Sequence, residues 1–520
     1  MENSIFLSRV DEEEVIKIID SLKNSAPGYD GITASILKLC KNIIIGPLVH
    51  LCNLSLTQGI FPDSLKIANI LPLYKAEDPM SFNNYRPVSL LSVLSKVFEK
   101  VMYNRLINFL EIYKILIEKQ FGFRKLHTTY MALMVLMDEL TKAMECGDFV
   151  IGVYLDFSKA FDTVNHDILL SKLNHYGIRG NALKWFASYL NKRSQFVSYN
   201  GCKSGTKHMF CGVPQGSILG PLLFLIYIND LSSICKKTSP LLFADDTNIF
   251  VRGQNLDDIQ SIMNEELQSL SKWLKVNKLS LNIKKTHFML FSNKKKYCEN
   301  VTIKIDGQNI KRVSKTKFLG VQIDDKLLWK EHVKTVCGKV SRGIGIIIKA
   351  RKYLNKNSLL TLYYSFIYPY LCYCNHIWGN TSRCTLDRLF KLQKKCIRII
   401  SQVSPRCPTY PLFENLKILK LEDINRYLIA QFMHKWYHDK TPGIFSTYFC
   451  TNSDVHSYGT RQNQYLHVPI AKTNLRKSNI RYRGVQIWNS LLAQGTSPLV
   501  SQVTFSKTVK NLYITSAMDT

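Results

Sequence analysis

Three carboxylates stand out by where they sit. Asp245 and Asp246 are adjacent within residues 241–251, Leu-Leu-Phe-Ala-Asp-Asp-Thr-Asn-Ile-Phe-Val, so an apolar run arrives, two acids follow, and an apolar run leaves. That pattern predicts a tight hairpin with the acids at its bend. Adjacent acids so placed repel one another, and burial disfavours their ionisation. A bound divalent cation relieves both problems. Asp156 ends another apolar run, 150–155, and an acid at a strand end can pair in space with an acidic hairpin. Three carboxylates supply oxygen ligands for hard cations, Mg²⁺ first and Mn²⁺ as an alternative. Two such ions roughly 3.5–4 Å apart would activate a hydroxyl and stabilise a departing pyrophosphate. The chemistry is then in-line phosphoryl transfer, dominated by positioning and charge neutralisation.

Adjacent aspartates occur twice more. Asp257-Asp258 opens a polar-faced helical stretch and reads as first-turn acids; Asp324-Asp325 precedes Lys326 and reads as a solvated turn. Neither has apolar runs on both sides, which is what forces the 245–246 turn close to a core. Cys372-Tyr-Cys-Asn-His, with Cys384, raises a zinc question. Its Cys-X-Cys-X-His spacing is too tight for a finger and no second pair follows. Buried thiols in a helical core are the preferred reading, with a metal role for Cys372, Cys374, His376 and Cys384 left open.

The elements that must position these groups follow from periodicity. An amphipathic helix is expected over 11–24, a turn-rich loop over 25–31, a strand over 66–74 and a helix over 96–110. Gln120-Phe-Gly-Phe-Arg reads as a loop leading into a helix over 128–145. The strand 149–156 precedes helices near 167–173 and 182–190 and a hairpin from 195–199 and 206–211. Gly212-Val-Pro-Gln-Gly-Ser runs into an apolar helix over 218–231. A helix over 256–274 has Asn255 as its cap, and strands are expected over 281–291, 301–305 and 317–323. Beyond about residue 330 the pattern turns helical and more basic, Pro405, Pro408 and Pro411 mark a joint, and the tail from about 440 reads as irregular.

With 520 residues the chain is long enough for two to four domains. Its net charge of +30 calls for a polyanionic partner, nucleic acid being the usual one. The 14 cysteines are scattered and no basic-then-apolar leader precedes them, so reduced thiols in nucleus and cytoplasm are expected. No apolar run reaches spanning length, and no membrane partner is expected; the nearest run, 359–378, reads as a buried helix pair broken at Pro369.

Phe243-Ala-Asp-Asp resembles the aromatic-X-Asp-Asp box of reverse transcriptases. Residues 154–166, Tyr-Leu-Asp-Phe-Ser-Lys-Ala-Phe-Asp-Thr-Val-Asn-His, resemble their first palm motif, and 212–224, Gly-Val-Pro-Gln-Gly-Ser-Ile-Leu-Gly-Pro-Leu-Leu-Phe, the template-and-nucleotide motif between the two. Order and spacing agree. The form is similar to the enzymes of non-LTR retrotransposons, jockey-like ones in particular, with further matches at Ala26-Pro-Gly-Tyr-Asp-Gly-Ile, Tyr85-Arg-Pro-Val-Ser-Leu, Gln120-Phe-Gly-Phe-Arg, Leu281-Asn-Ile-Lys-Lys-Thr and Phe318-Leu-Gly-Val.

The resemblance implies an α+β right-hand polymerase (fingers, palm and thumb) with an additional helical C-terminal region. It divides the chain into an N-terminal helical extension (1–60), fingers and palm (61–325), a helical thumb (326–400) and a C-terminal region of unassigned role (401–520). It makes Asp156, Asp245 and Asp246 metal ligands, with the Phe157 carbonyl as another and Asp246 standing back from the ions. Phe161 takes the place of a steric gate against the 2′-hydroxyl. Gln215 and Gly216 would face nucleotide and template, and Arg86, Lys96 and Arg124 the triphosphate. Lys285, with Lys284 as its neighbouring rival, would act as general acid. Phe318, Leu319 and Gly320 take the place of a primer grip. Lys330, Lys334, Lys339, Arg342, Lys349, Arg351 and Lys352 would track a duplex. The implied activity is RNA-directed DNA synthesis from dNTPs with two Mg²⁺, serving target-primed retrotransposition. Its partners would be an RNA template, a DNA primer and target, and an element RNA-binding protein and endonuclease supplied elsewhere. Neither an endonuclease nor a ribonuclease H pattern is recognisable, as expected of a truncated copy or an incomplete gene model. The rival readings are a catalytically silent nucleic-acid-binding remnant and a splicing-associated enzyme similar to group II intron proteins.

Overall fold

The computed structural model describes residues 3–75, 78–294, 301–455 and 463–515; Met1, Glu2 and 516–520, the ends of the expected first and last regions, lie outside them. The chain is a mixed α/β protein. Strands β1 (Ile67–Tyr74) and β2 (Tyr85–Leu91) form an antiparallel hairpin. The next strand, β3 (Phe149–Leu155), is buried at every position, which is why its sequence is apolar throughout rather than alternating. Strand β4 (Ser194–Tyr199) lies parallel to β1 and carries the short β5 (Cys202–Lys203) and β6 (Lys207–His208). The acidic hairpin is β7 (Ser239–Phe243) and β8 (Asp246–Gly253). It is followed by β9 (His287–Phe291), a small pair β10 (Lys304–Ile305) and β11 (Gln308–Asn309), then β12 (Lys311–Arg312). The hairpin β13 (Lys315–Phe318) and β14 (Val321–Asp324) completes the strands.

The central sheet has the order β12-β9-β3-β8-β7. Its two faces enter different cores. Ile151, Val153, Leu155, Ile249 and Leu290 pack into the core shared with the N-terminal helices. Val150, Tyr154, Phe250 and Met289 pack into a second core with helix Thr129–Glu145 and the helices that follow residue 330. The alternation of β3 residues between the cores follows from the two-residue period of a strand. Gly152 lies at its centre, where a Cβ would stand 2.5 Å from the Phe250 ring.

Five expectations are corrected here. Residues 317–323 are not one strand but a two-residue hairpin, because Leu319 (φ 46°) and Gly320 (φ 80°) are both left-handed. The strand expected over 281–291 starts only at His287, since Asn282 and Thr286 belong to a turn. The hairpin of 195–199 is also an edge partner of β1, a long-range pairing that local pattern does not show. The tail holds two long helices, Ile480–Ala493 and Gln502–Thr515, whose apolar faces complete the second core. Finally, helix Ala34–Gln58 is long and apolar enough by length and composition to cross a membrane. Its Leu37, Ile45, Leu48, Cys52 and Leu56 are buried in the first core.

The C-terminal region is held against helix Thr129–Glu145 by charge as well as by packing. Asp138 accepts Arg476 at 2.6 Å and Arg481 at 2.8 Å, with all three side chains largely buried. The cysteines among the described residues are all free.

Candidate active site

Asp245 occupies the turn of the acidic hairpin. Phe243 pairs with Asp246, so Ala244 and Asp245 are the two connecting residues, and Ala244 takes a left-handed φ of 57°. A residue with a Cβ does not adopt that conformation without support, and the support is Gln120. Its buried Oε1 accepts the Ala244 N–H at 3.0 Å and the Gly122 N–H at 2.8 Å. Phe121 N–H donates to Leu242 O at 2.8 Å and Leu242 N–H to Lys119 O at 3.0 Å, so 119–122 runs as an extra edge beside β7. At Gly122 a Cβ would fall 2.2 Å from the Ala244 nitrogen, so only glycine allows that approach.

Asp156 follows β3 directly. Leu155 pairs with Thr247 across the sheet, which sets Asp156 beside the acidic turn. Its backbone is fixed from the other side, where Asn282 N–H donates to Asp156 O at 2.8 Å and Asp156 N–H to Thr286 Oγ1 at 3.4 Å. Phe157 bridges Leu281, and the flanking bonds run through Asp156 and Ser158, leaving the Phe157 carbonyl outside them.

These groups open on a cleft of about 1290 Å³ lined by Asp156, Phe157, Phe161, Gln215, Gly216, Arg86, Lys285 and Asp245. Asp246 is adjacent but not among the lining residues. The carboxylates crowd one another electrostatically. Although part of each side chain reaches solvent, the surrounding walls desolvate Asp245 and push its pKa up; Arg86 and Lys75 pull it back and Asp156 raises it further. Asp246 is pushed up to about 6 by burial first, then by Asp245 and Asp156. Such a cluster favours a cation. Among the described residues no three His, Cys, Asp or Glu groups converge as a ready-made cage. The Asp156 and Asp245 carboxylates on one cleft suit Mg²⁺, which takes one or two carboxylates and leaves positions for water and phosphate oxygens.

Phe161 stacks on Phe224 at 4.5 Å and meets Phe123 edge-on at 6.2 Å, which fixes its ring at the cleft wall. Gln215 donates to Asp162 Oδ1 at 2.8 Å, and its carbonyl accepts Ser89 N–H at 2.7 Å. Gly216 (φ 134°) passes so close to β2 that a Cβ would stand 2.5 Å from Ser89 O.

Two expected cleft residues lie elsewhere. Arg124 donates to the carbonyls of Ile117 at 2.9 Å and Gln120 at 3.3 Å, so its guanidinium ties its own loop together. Lys96 reaches Ser25 Oγ at 3.2 Å and does not line the cleft. Phe318, Leu319 and Gly320 form the hairpin tip beyond the cleft lining, with Phe318 buried. Lys284 does not line the cleft, whereas Lys285 does.

Lys75 and Lys159 were missed and do line it; lone lysines carry no pattern, although Lys159 lies within the 154–166 stretch. Glu99 was missed too. It is fully buried, and its carboxylate accepts Ile218 N–H at 2.7 Å, Leu219 N–H at 3.2 Å and Ser95 Oγ–H at 3.0 Å. It thereby caps helix Leu219–Ile228 straight after the Gly212–Gly216 loop. The available signal was an acid on the apolar face of helix Val93–Ile112. The zinc candidates do not assemble. His376 stacks on Tyr130 at 4.3 Å, with its pKa pushed down to about 3 chiefly by burial, and burial likewise pushes the Cys372 and Cys374 thiols up to about 12.

Residues 75–323 match the family described as reverse transcriptase (RNA-dependent DNA polymerase). The chain is 29% identical over 445 residues to the RNA-directed DNA polymerase from mobile element jockey of Drosophila melanogaster, covering 83% of this chain and 48% of the relative. It is 30% identical over 431 residues to the probable RNA-directed DNA polymerase from transposon BS of the same fly, covering 79% and 46%. The probable RNA-directed DNA polymerase from transposon X-element is 27% identical over 425 residues, covering 79% and 46%. The chain thus spans about half the length of these relatives. With the acidic turn, the strand-end aspartate and the Gly-Val-Pro-Gln-Gly loop set around one cleft, residues 75–323 carry a reverse transcriptase domain, and the chain is similar to the polymerases of jockey-like, non-LTR elements.

Proposed function

We propose that the protein is an RNA-directed DNA polymerase that adds dNTPs to a primer 3′-hydroxyl in target-primed retrotransposition. The observation that carries this reading is the convergence of Asp156, Asp245, Arg86, Gln215, Phe161 and Lys285 on one cleft. Asp156, Asp245 and the Phe157 carbonyl would hold two Mg²⁺, with Asp246 behind them; the ions supply a lowered hydroxyl pKa and charge neutralisation. The chain's own residues do the rest. Arg86, Lys75 and Lys159 place positive charge against a triphosphate. Gln215 and Gly216, held by Asp162 and Ser89, form a rigid floor for the nascent base pair. Phe161, immobilised by Phe224, bars a 2′-hydroxyl. Lys285, which lines the same cleft, would donate a proton to the departing pyrophosphate.

On this reading residues 61–325 are fingers and palm, 326–400 the thumb, and β13–β14 the primer grip. The basic helix Lys330–Ala350 would follow the hybrid backbone in a salt-sensitive way. The test is primer extension on a poly(A) RNA template with dTTP, comparing wild type with Asp245→Ala plus Asp246→Ala. The wild type extends and the double variant does not; extension retained by the double variant would falsify the assignment.

A further inference from the structure

In the segment Cys372-Tyr-Cys-Asn-His the tyrosine makes a contact that the preceding reading leaves unused. Tyr373 Oη donates to the Leu319 carbonyl at 2.6 Å. Its ring lies over the next residue, where a Cβ on Gly320 would stand 3.1 Å from Cε1 and 3.2 Å from Oη. Leu319 and Gly320 are the two left-handed residues of the β13–β14 turn, so Tyr373 grips that hairpin at its tip.

Tyr373 is itself held in place. Its N–H donates to Pro369 O at 2.9 Å, and its carbonyl accepts Nε1 of the buried Trp378 at 2.9 Å. Cys374 follows with φ 50°, turning the chain between helices Tyr368–Cys372 and Asn375–Trp378. A left-handed cysteine costs on the order of 1 kcal/mol, so the local backbone is held against its preference. The outer part of Tyr373 stays open, with 42% of the residue exposed. Tyr370, one helical turn earlier, is also partly exposed and lies beneath Lys339 Nζ at 5.1 Å. A half-exposed aromatic pair with a lysine over it suits a nucleic-acid backbone.

We infer that Tyr373 is a positioning residue for the primer end: it locks the β13–β14 tip to the basic helical region, so that hairpin and helices present the primer to Asp156 and Asp245 as one surface. The inference rests on the polymerase reading above. The body of the hairpin is anchored separately, by the Phe318 ring against Tyr154 at 6.0 Å and by Thr316 Oγ1 beside His287 Nε2 at 2.6 Å, whereas Tyr373 grips the two tip residues themselves.

The full chain is assayed for primer extension, with primer–template and dNTP titrated separately, as wild type, Tyr373→Phe and Tyr373→Ala. Tyr373→Phe keeps the ring and removes the hydrogen bond. It should raise KM for primer–template by about two- to tenfold, the factor one lost hydrogen bond gives, with KM for dNTP unchanged. Tyr373→Ala should give a larger rise. An unchanged primer KM in Tyr373→Ala overturns the inference. So do equal rises in both KM values, since they place the effect on the whole cleft rather than on the primer end. Wild-type protein that extends no primer on any RNA template overturns the polymerase reading and this inference with it.

Discussion

Gln120 holds the turn that carries Asp245: its side-chain oxygen accepts the Ala244 N–H at 3.0 Å while also accepting that of Gly122 at 2.8 Å. One buried acceptor thus stabilises a left-handed alanine and fixes the loop that crowds against it. Replacing Gln120 by Met keeps the volume and strands two amides. The expected loss is about 1–3 kcal/mol of stability, read as a lower urea midpoint, with a fall in primer extension that exceeds the loss of folded protein. Gly122→Ala should be worse for activity, because its Cβ has no room beside the Ala244 nitrogen. Full activity in either variant would remove the link between this loop and the acidic turn.

Phe161→Ala removes a ring fixed by Phe224 and Phe123. If that ring is the gate, the ratio of ribonucleotide to deoxynucleotide incorporation should rise on the order of tenfold. Competition between rNTP and dNTP on one template measures it. An unchanged ratio assigns Phe161 to packing alone.

Asp138 is the acid shared by Arg476 and Arg481. Asp138→Ala leaves two guanidinium groups in a largely buried interface without their carboxylate. The cost should be roughly 3 kcal/mol, seen as earlier urea unfolding of the whole chain. An early transition confined to the C-terminal helices would show instead that this region unfolds by itself.

Glu99 makes stability depend on pH. Burial raises its pKa first, and Arg193 and the bonds from Leu219, Ile218 and Ser95 oppose that only in part. A carboxyl whose folded pKa is raised binds more protons when folded, so its contribution is present below its ordinary value of 4.5 and is lost as pH rises through the folded value. Glu99→Gln keeps an acceptor for Ile218 and Leu219 without the buried charge. Its melting temperature relative to wild type should therefore climb as pH rises from 4.5. A constant offset between the two proteins across pH would contradict the assignment.

Cys372 and Cys374, pushed up to about 12 by burial, carry almost no thiolate at neutral pH. Cys384 and Cys146 are exposed. Labelling of native protein with a thiol reagent, located by peptide mapping, should modify Cys384 and Cys146 rapidly and the buried Cys374 only after unfolding. Rapid labelling of Cys374 would show that the core around His376 opens.

The candidate site was legible in the residues themselves. Asp156, Asp245 and Asp246 were found because an acid at the end of an apolar run is costly, and that cost is a property of composition and order alone. Gly216, Phe161 and Lys285 came from motif resemblance, and the structure sets them together on one cleft. What sequence could not show was which polar groups serve the backbone. Arg124 and Lys96 have the charge for a phosphate, but Arg124 is committed to carbonyls of its own loop and Lys96 to Ser25. Gln120 and Glu99 look like ordinary polar residues until folding brings Ala244 and Ile218 to them across more than a hundred residues. The tail read as irregular because the apolar faces of its two helices are completed only against helices elsewhere in the chain. Local pattern encodes burial and turn preference. Which unpaired donor meets which acceptor is decided by tertiary packing, because a buried polar group must find a partner wherever the fold supplies one.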